Sequence, residues 1–95
     1  MRFEWDADKA ASNLAKHGVS FDEASTVFGD RLATTVSDAD RSANEERSLT
    51  TGRSTQGKIL IIWHADRREN GEEVVRIIGA RRATPWERRT YESGK

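Results

Sequence analysis

Apolar residues fall in short blocks along the chain, and the blocks change period. Phe3 and Trp5 alternate with polar neighbours, which predicts a short strand from Arg2 to Trp5. Ala7, Ala10, Ala11 and Leu14 then recur at helical spacing, predicting a helix from Ala7 to about Lys16, with Asp6 as N-cap and Gly18 as the C-terminal stop. Ser20 and Glu23 are spaced as a capping box for a second helix, with Phe21, Ala24, Val27 and Phe28 on its buried side and Gly29 and Asp30 at its end. Leu32 to Val36 reads as a strand, Ser37 to Asn44 as a polar, acidic loop, and Arg47 to Arg53 as a weakly alternating strand followed by a turn at Thr55, Gln56 and Gly57. From Ile59 to Trp63 every residue is apolar. Such a run is buried on both faces and marks a central strand, Lys58 to His64. Asp66 to Glu73 is a charged loop around Asn70-Gly71, a favoured hairpin turn, and Val74 to Ala80 is the last strand. Thr84, Pro85 and Glu87 supply an N-cap, a first-turn proline and a capping box for a helix from Pro85 to about Glu92.

Runs of one element type rather than strict alternation indicate an α+β chain. Hairpin links imply a mostly antiparallel sheet of about four to five strands, with two N-terminal helices on one face and a short C-terminal helix. The 95 residues, without repeats or a long linker, are expected to form one domain. The absence of cysteine excludes a disulfide scaffold and a thiolate metal site. His17 and His64 are too few for a histidine-built zinc site, and no carboxylate spacing suggests a cage, so neither a metal nor another cofactor is expected. No apolar run reaches membrane-spanning length and no signal peptide is visible, which leads to the expectation of a soluble cytoplasmic protein.

The formal net charge is zero, but it is unevenly distributed. Met1 to Glu46 holds five basic and ten acidic residues (−5), and Arg47 to Lys95 holds eleven basic and six acidic (+5). Arg outnumbers Lys twelve to four, and guanidinium forks suit phosphate oxygens. Arg81 and Arg82 end the last strand, and Arg88 and Arg89 lie one turn into the helix that follows, so four guanidinium groups meet at one strand-to-helix junction. Alternation puts Arg76 and Arg82 on one face of the strand and Arg81 on the other. Joint action of Arg81 and Arg82 requires the strand to end or bulge near Gly79. Two readings stand on these residues alone. One is a basic surface from Arg53, Arg76, Arg81 and Arg82 that handles a polyanion. The other is a salt-bridged face, with Glu45, Glu46, Glu72 and Glu73 as partners. His17, at a helix C-terminus, suits either a general acid or a cap on the last carbonyls. His64 reads as a satisfied core histidine, Trp86 as core, and Tyr91 as a base-stacking or packing residue.

Three strings extend the reading: FEWDADKAASNLAKHGVSFDEASTVF at the start, ER followed by GRS in the middle, and RIIGARRATPWERRTYE at the end. Together, and in this order, they resemble the BrnT family, toxins of type II toxin-antitoxin modules with a RelE-like fold. Gly79 stands where such proteins often carry serine. The resemblance implies a ribonuclease that inhibits translation, works without a metal, and cleaves RNA by attack of its own 2′-hydroxyl. It also implies a BrnA-like ribbon-helix-helix antitoxin, operator DNA bound only through the complex, and a toxin that is dimeric within it. Carried onto this chain, Arg81 and Arg82 match the family's arginine pair and Arg53 the GRS string, as phosphate ligands and transition-state stabilisers. His17, in KHGV, is the expected general acid and Glu46 the expected base. Lys16, Arg47, Arg76, Arg88 and Tyr91 are the expected RNA contacts. The competing expectation is a module that uses the same basic surface to bind nucleic acid or protein without catalysis.

Overall fold

The computed structural model describes residues 1–38 and 47–94. Its elements run β1 (Arg2–Glu4), α1 (Ala7–His17), α2 (Phe21–Thr26), a 3₁₀ turn (Val27–Gly29), β2 (Thr34–Ser37), β3 (Arg47–Arg53), β4 (Ile59–Glu69), β5 (Glu72–Arg82) and α3 (Pro85–Glu92). The fold is α+β, with a five-stranded sheet in the order β1-β5-β4-β3-β2. The sheet is mixed rather than mostly antiparallel. β2, β3, β4 and β5 pair antiparallel, whereas β1 lies parallel to β5, Phe3 beside Val75. Hairpin links account for the antiparallel pairs. β1 departs because α1 and α2 intervene before the chain re-enters the sheet, so no turn sets its direction. Among the described residues no helix is long and apolar enough to cross a membrane.

One face of the sheet carries the core. Leu60 and Ile62 of β4 and Val75, Ile77 and Ala80 of β5 pack against Val19, Phe21, Ala24 and Val27. Both early helices therefore lie on this face, below called the helix face. Asp6 caps α1 by accepting from the N–H groups of Asp8 and Lys9 at 2.8 and 3.1 Å, and Gly18 ends it at φ 69°, where glycine meets no Cβ penalty. The expected alanine–leucine stripe is only partly used. Ala10 packs on the core, but Leu14 is 52% exposed and no residue of α1 is fully buried. The grip of α1 on the sheet is polar instead. The Asn13 amide donates to the carbonyls of Val19 (3.0 Å) and Ala80 (2.9 Å) and accepts from the N–H of Ala80 (3.1 Å). Asn13 thus serves as a strand neighbour for β5 beyond the point where β1 ends.

The second helix starts where expected, with the Ser20 hydroxyl accepting from the Glu23 N–H at 3.0 Å. Its capping box is not completed, because the buried Glu23 carboxylate accepts from Ser54 Oγ at 2.7 Å and lies 3.7 Å from Lys58 Nζ. His64 is 1% exposed and fully engaged, as expected of a core histidine: Nε2 lies 2.7 Å from Thr50 Oγ1 and Nδ1 lies 2.6 Å from Asp66 Oδ1. β4 and β5 run further than the apolar pattern suggests, through the segment expected as loop, and turn at Asn70-Gly71 with both residues at positive φ. The acidic loop expected at Ser37 to Asn44 lies, from residue 39 on, outside the described residues, as does the candidate base Glu46.

Candidate nucleic-acid interface

The second face of the sheet carries most of the arginines that the strands contribute. On β4 the positions opposite to the core are Ile59, Ile61, Trp63, Ala65 and Arg67, and the register assigns their neighbours. Arg53 lies beside Ile59, Arg81 beside Ile61, and Arg47 and Arg76 flank Ala65 from either side. The β4–β5 ladder slips by one residue at Trp63/His64, since Trp63 pairs with Gly79 but His64 with Ile77. Ile78 is the extra residue. This bulge lies where Gly79 suggested it, but its consequence is the reverse of the simple alternation. Arg76 and Arg81 share the outer face, whereas Arg82, beside the core residue Leu60, belongs to the helix face. The bulge therefore brings Arg81, in place of Arg82, onto the face that Arg76 shares with Arg47 and Arg53 of β3.

α3 crosses this face. Its start was fully readable: Thr84 Oγ1 accepts from the Glu87 N–H (3.2 Å), and the Glu87 carboxylate accepts from the Thr84 N–H (2.8 Å). The same carboxylate takes both ends of the Arg81 fork, at 2.8 and 3.0 Å, while Arg81 also donates to the Arg82 carbonyl at 3.1 Å and lies 5.3 Å from the ring centre of Trp63. At the far end of α3 the Tyr91 hydroxyl donates to Asp30 Oδ2, which also accepts from the Arg53 N–H at 2.7 Å, and the Arg53 guanidinium sits 5.9 Å from the Tyr91 ring centre. Between these two anchors no residue of α3 is buried, and a hollow of about 280 Å³ lies beneath it, lined by Leu32, Val36, Leu49, Ile61 and Trp86 among others. Trp86, expected in the core, is 66% exposed. Its side chain flanks a hollow rather than filling it.

The electrostatics follow from these contacts. The Arg81 fork holds the Glu87 carboxyl down at about 2, from an ordinary 4.5, with the Thr84 N–H contributing. Burial pushes the Asp30 carboxyl up, but the hydrogen bonds from Tyr91 and from the N–H groups of Arg53 and Leu32 outweigh it and leave it below its usual range. Burial and the Asp30 carboxylate push the Tyr91 phenol up. The depressed Glu87 carboxyl predicts a pH effect. Its folded value lies below its unfolded one, so its contribution to stability is complete above about pH 4.5 and is lost as pH falls towards about 2. After allowance for solvent screening, that contribution is about 1–2 kcal/mol. The urea midpoint of Glu87→Gln is expected to lie below that of the parent chain at neutral pH, with the gap closing as both are titrated towards pH 2.

The expected site residues thus divide. Arg81 lies at the start of α3 and Arg53 and Tyr91 at its far end, with Arg47 and Arg76 further along the same face. Arg88 is exposed on α3 itself. Lys16 and His17 form the exposed C-terminal end of α1, across the sheet, on the side to which Arg82 belongs. Reading the residues in order missed Trp63, whose ring underlies Arg81, and Asp30, which anchors both Tyr91 and the Arg53 backbone. Trp63 was hidden in an all-apolar run, and nothing local distinguishes Asp30 from an ordinary helix stop. Among the described residues no three carboxylate or imidazole groups are gathered in a way that could hold a metal ion.

The fold and this face define a small α+β domain with an arginine-bearing sheet surface bridged by a short helix. The family model for the ribonuclease toxin BrnT of type II toxin-antitoxin systems matches residues 5–87, and the chain belongs to that family. Among solved structures it is similar to the Brucella abortus ribonuclease toxin BrnT, with a TM-score of 0.63 and 21% identity over 88% of this chain and 97% of that one. No curated protein sequence matches the chain.

Proposed function

We propose that this chain is the ribonuclease of its module and cleaves RNA at the outer sheet face without a metal ion. Family membership sets the class of reaction, and the observation that carries the site is the alignment of Arg47, Arg76, Arg81 and Arg53 on one face beside Trp63 and Tyr91. RNA brings its own nucleophile. The 2′-oxygen attacks the adjacent phosphorus, the bond to the 5′-oxygen breaks, and the products are a 2′,3′-cyclic phosphate and a 5′-hydroxyl. One proton leaves the 2′-hydroxyl and one is delivered to the departing 5′-oxygen, so the protein need only move protons and stabilise the charge on the phosphorane. Arg81 and Arg53 supply that stabilisation, a role in which preorganised donors have their largest effect. Arg47 and Arg76 track the phosphates, Arg88 on α3 adds to them, and Tyr91 offers a ring for a base.

In this reading Arg82 and the general acid His17 reach the same phosphate only if the strand passes over the end of β5, with Lys16 supporting His17 by its charge. Glu46 keeps the role of base. The partner is a BrnA-like antitoxin with a ribbon-helix-helix DNA-binding region. It neutralises the toxin in the cytoplasm in an assembly that contains a toxin dimer and carries the complex to operator DNA. The fold is assigned to the RelE-like ribonucleases on the same grounds. The test is incubation of purified chain, freed of antitoxin, with single-stranded RNA in excess EDTA. The expected result is undiminished cleavage with products ending in cyclic phosphate. Cleavage abolished by the chelator and restored by a divalent cation would overturn the metal-free mechanism. Binding without cleavage would instead favour a non-catalytic module.

A further inference from the structure

The Arg81 fork is the best-prepared phosphate ligand on the outer face, and it is already occupied. Both of its terminal nitrogens donate to Glu87, at 2.8 and 3.0 Å, in the two-pronged geometry that a phosphate would take. Glu87 belongs to α3, which is joined to β5 by only Ala83 and Thr84 and has no buried residue. The helix is held to the sheet by the Arg81–Glu87 pair at one end and by Tyr91 on Asp30 at the other, over a hollow of about 280 Å³. We infer that Glu87 is an internal stand-in for the substrate phosphate: its carboxylate fills the Arg81 fork in the free protein, and an RNA phosphate must displace it, shifting the start of α3, to be bound. The inference rests on the proposed role of Arg81 in phosphate binding and adds Glu87 as the residue that sets how readily that site opens.

The pair also dictates what can open it. The carboxyl titrates at about 2, so a neutral or mildly acidic medium leaves it charged and in place. Only a competing anion, or a partner that pulls α3 away, releases Arg81. Glu87 acts through Arg81 and is a positioning residue. Its substitution by glutamine suits the test, because glutamine retains the capping box at this helix position while removing the charge.

The experiment measures binding of a short 2′-O-methyl oligouridine, which cannot be cut by 2′-hydroxyl attack, over a salt series. The proteins are the parent chain, Glu87→Gln, Glu92→Gln, Arg81→Ala, and the double variant Arg81→Ala with Glu87→Gln. Glu92 lies on the same helix, exposed, so its variant makes the same change in net charge without touching Arg81. Glu87→Gln is expected to bind about tenfold more tightly than the parent. Its salt slope is expected to steepen by about 0.7, the increment for one further phosphate contact on a single strand. Glu92→Gln should show neither change, and the gain should vanish in the double variant. Glu87→Gln binding no more tightly than Glu92→Gln, while Arg81→Ala binds more weakly than the parent, would overturn the stand-in and leave the arginine site intact. Arg81→Ala binding as tightly as the parent would instead remove the reading on which the inference rests. Should Glu87→Gln fold poorly, Glu87→Asp keeps the charge but is too short for the two-pronged grip. It is expected to bind more tightly than the parent, and equal binding would overturn the inference.

Discussion

Arg81→Ala is expected to lower RNA cleavage by about 100- to 1,000-fold, the usual loss when one preorganised donor to a developing oxyanion is removed. The expectation follows from how firmly the side chain is placed. Its guanidinium lies over Trp63 and donates to the Arg82 carbonyl, so once a phosphate has displaced Glu87 the fork needs little further ordering. Arg81→Lys keeps the charge but loses the fork, and should recover only a small part of the lost rate. Arg82→Ala should cost distinctly less, because the bulge at Ile78 places Arg82 on the helix face, away from Arg53 and Tyr91. The measurement is single-turnover cleavage of a labelled RNA by each variant, with circular dichroism to confirm that the fold is retained. Loss of Glu87's partner loosens the first turn of α3, but the core lies on the opposite face of the sheet. Full activity in Arg81→Ala would leave the outer face without its main stabiliser and move the search to the side of Arg82 and His17.

The elements that the sequence made readable are those whose signal is local. The Thr84–Glu87 capping box, the Asp6 cap and the Ile59–Trp63 run each depend on residues a few positions apart, and each forms as expected. What escaped depends on distant partners. The charged stretch around Asn70-Gly71 was expected as loop because it lacks apolar residues. It forms strand because Arg67 bonds Glu4 across the sheet at 2.6 Å and Arg2 bonds Glu69 at 2.5 Å, and neither pair is visible in the hairpin's own sequence. The parallel placement of β1 and the strand-like use of Asn13 are of the same kind. The site suffered most from a single inserted residue. Strict alternation pairs Arg76 with Arg82, and one bulged position exchanges Arg82 for Arg81 on the face that Arg76 shares. Family membership could not supply this correction either. It identifies which residues to consider, whereas their side of the sheet is set by the register.

Gly52→Ala is expected to be among the most damaging small substitutions in the chain. Gly52 pairs with Leu60 in the middle of the sheet and faces the core, where a Cβ would stand 2.8 Å from Val27 Cγ1, 2.9 Å from Ala33 Cβ and 3.2 Å from Asp30 Oδ2. None of these neighbours can yield cheaply. Val27 is fully buried in the 3₁₀ turn, and Asp30 is fixed by hydrogen bonds from Arg53, Leu32 and Tyr91. Glycine is required at this position for close approach, since nothing but a missing side chain lets the turn after α2 lie directly on β3. Forcing a methyl group into so tight a contact is expected to cost about 2–3 kcal/mol, or on the order of 10 °C in Tm for a domain of this size. Gly29→Ala is the matched control. A Cβ there meets nothing within 4 Å, so its urea midpoint should stay close to that of the parent. The damage should not stop at stability, because displacing Asp30 removes the anchor shared by Tyr91 and the Arg53 backbone. Gly52→Ala should therefore lose cleavage even at temperatures where it remains folded, whereas equal activity and an unchanged urea midpoint would show that β3 and the 3₁₀ turn have room between them that the geometry denies.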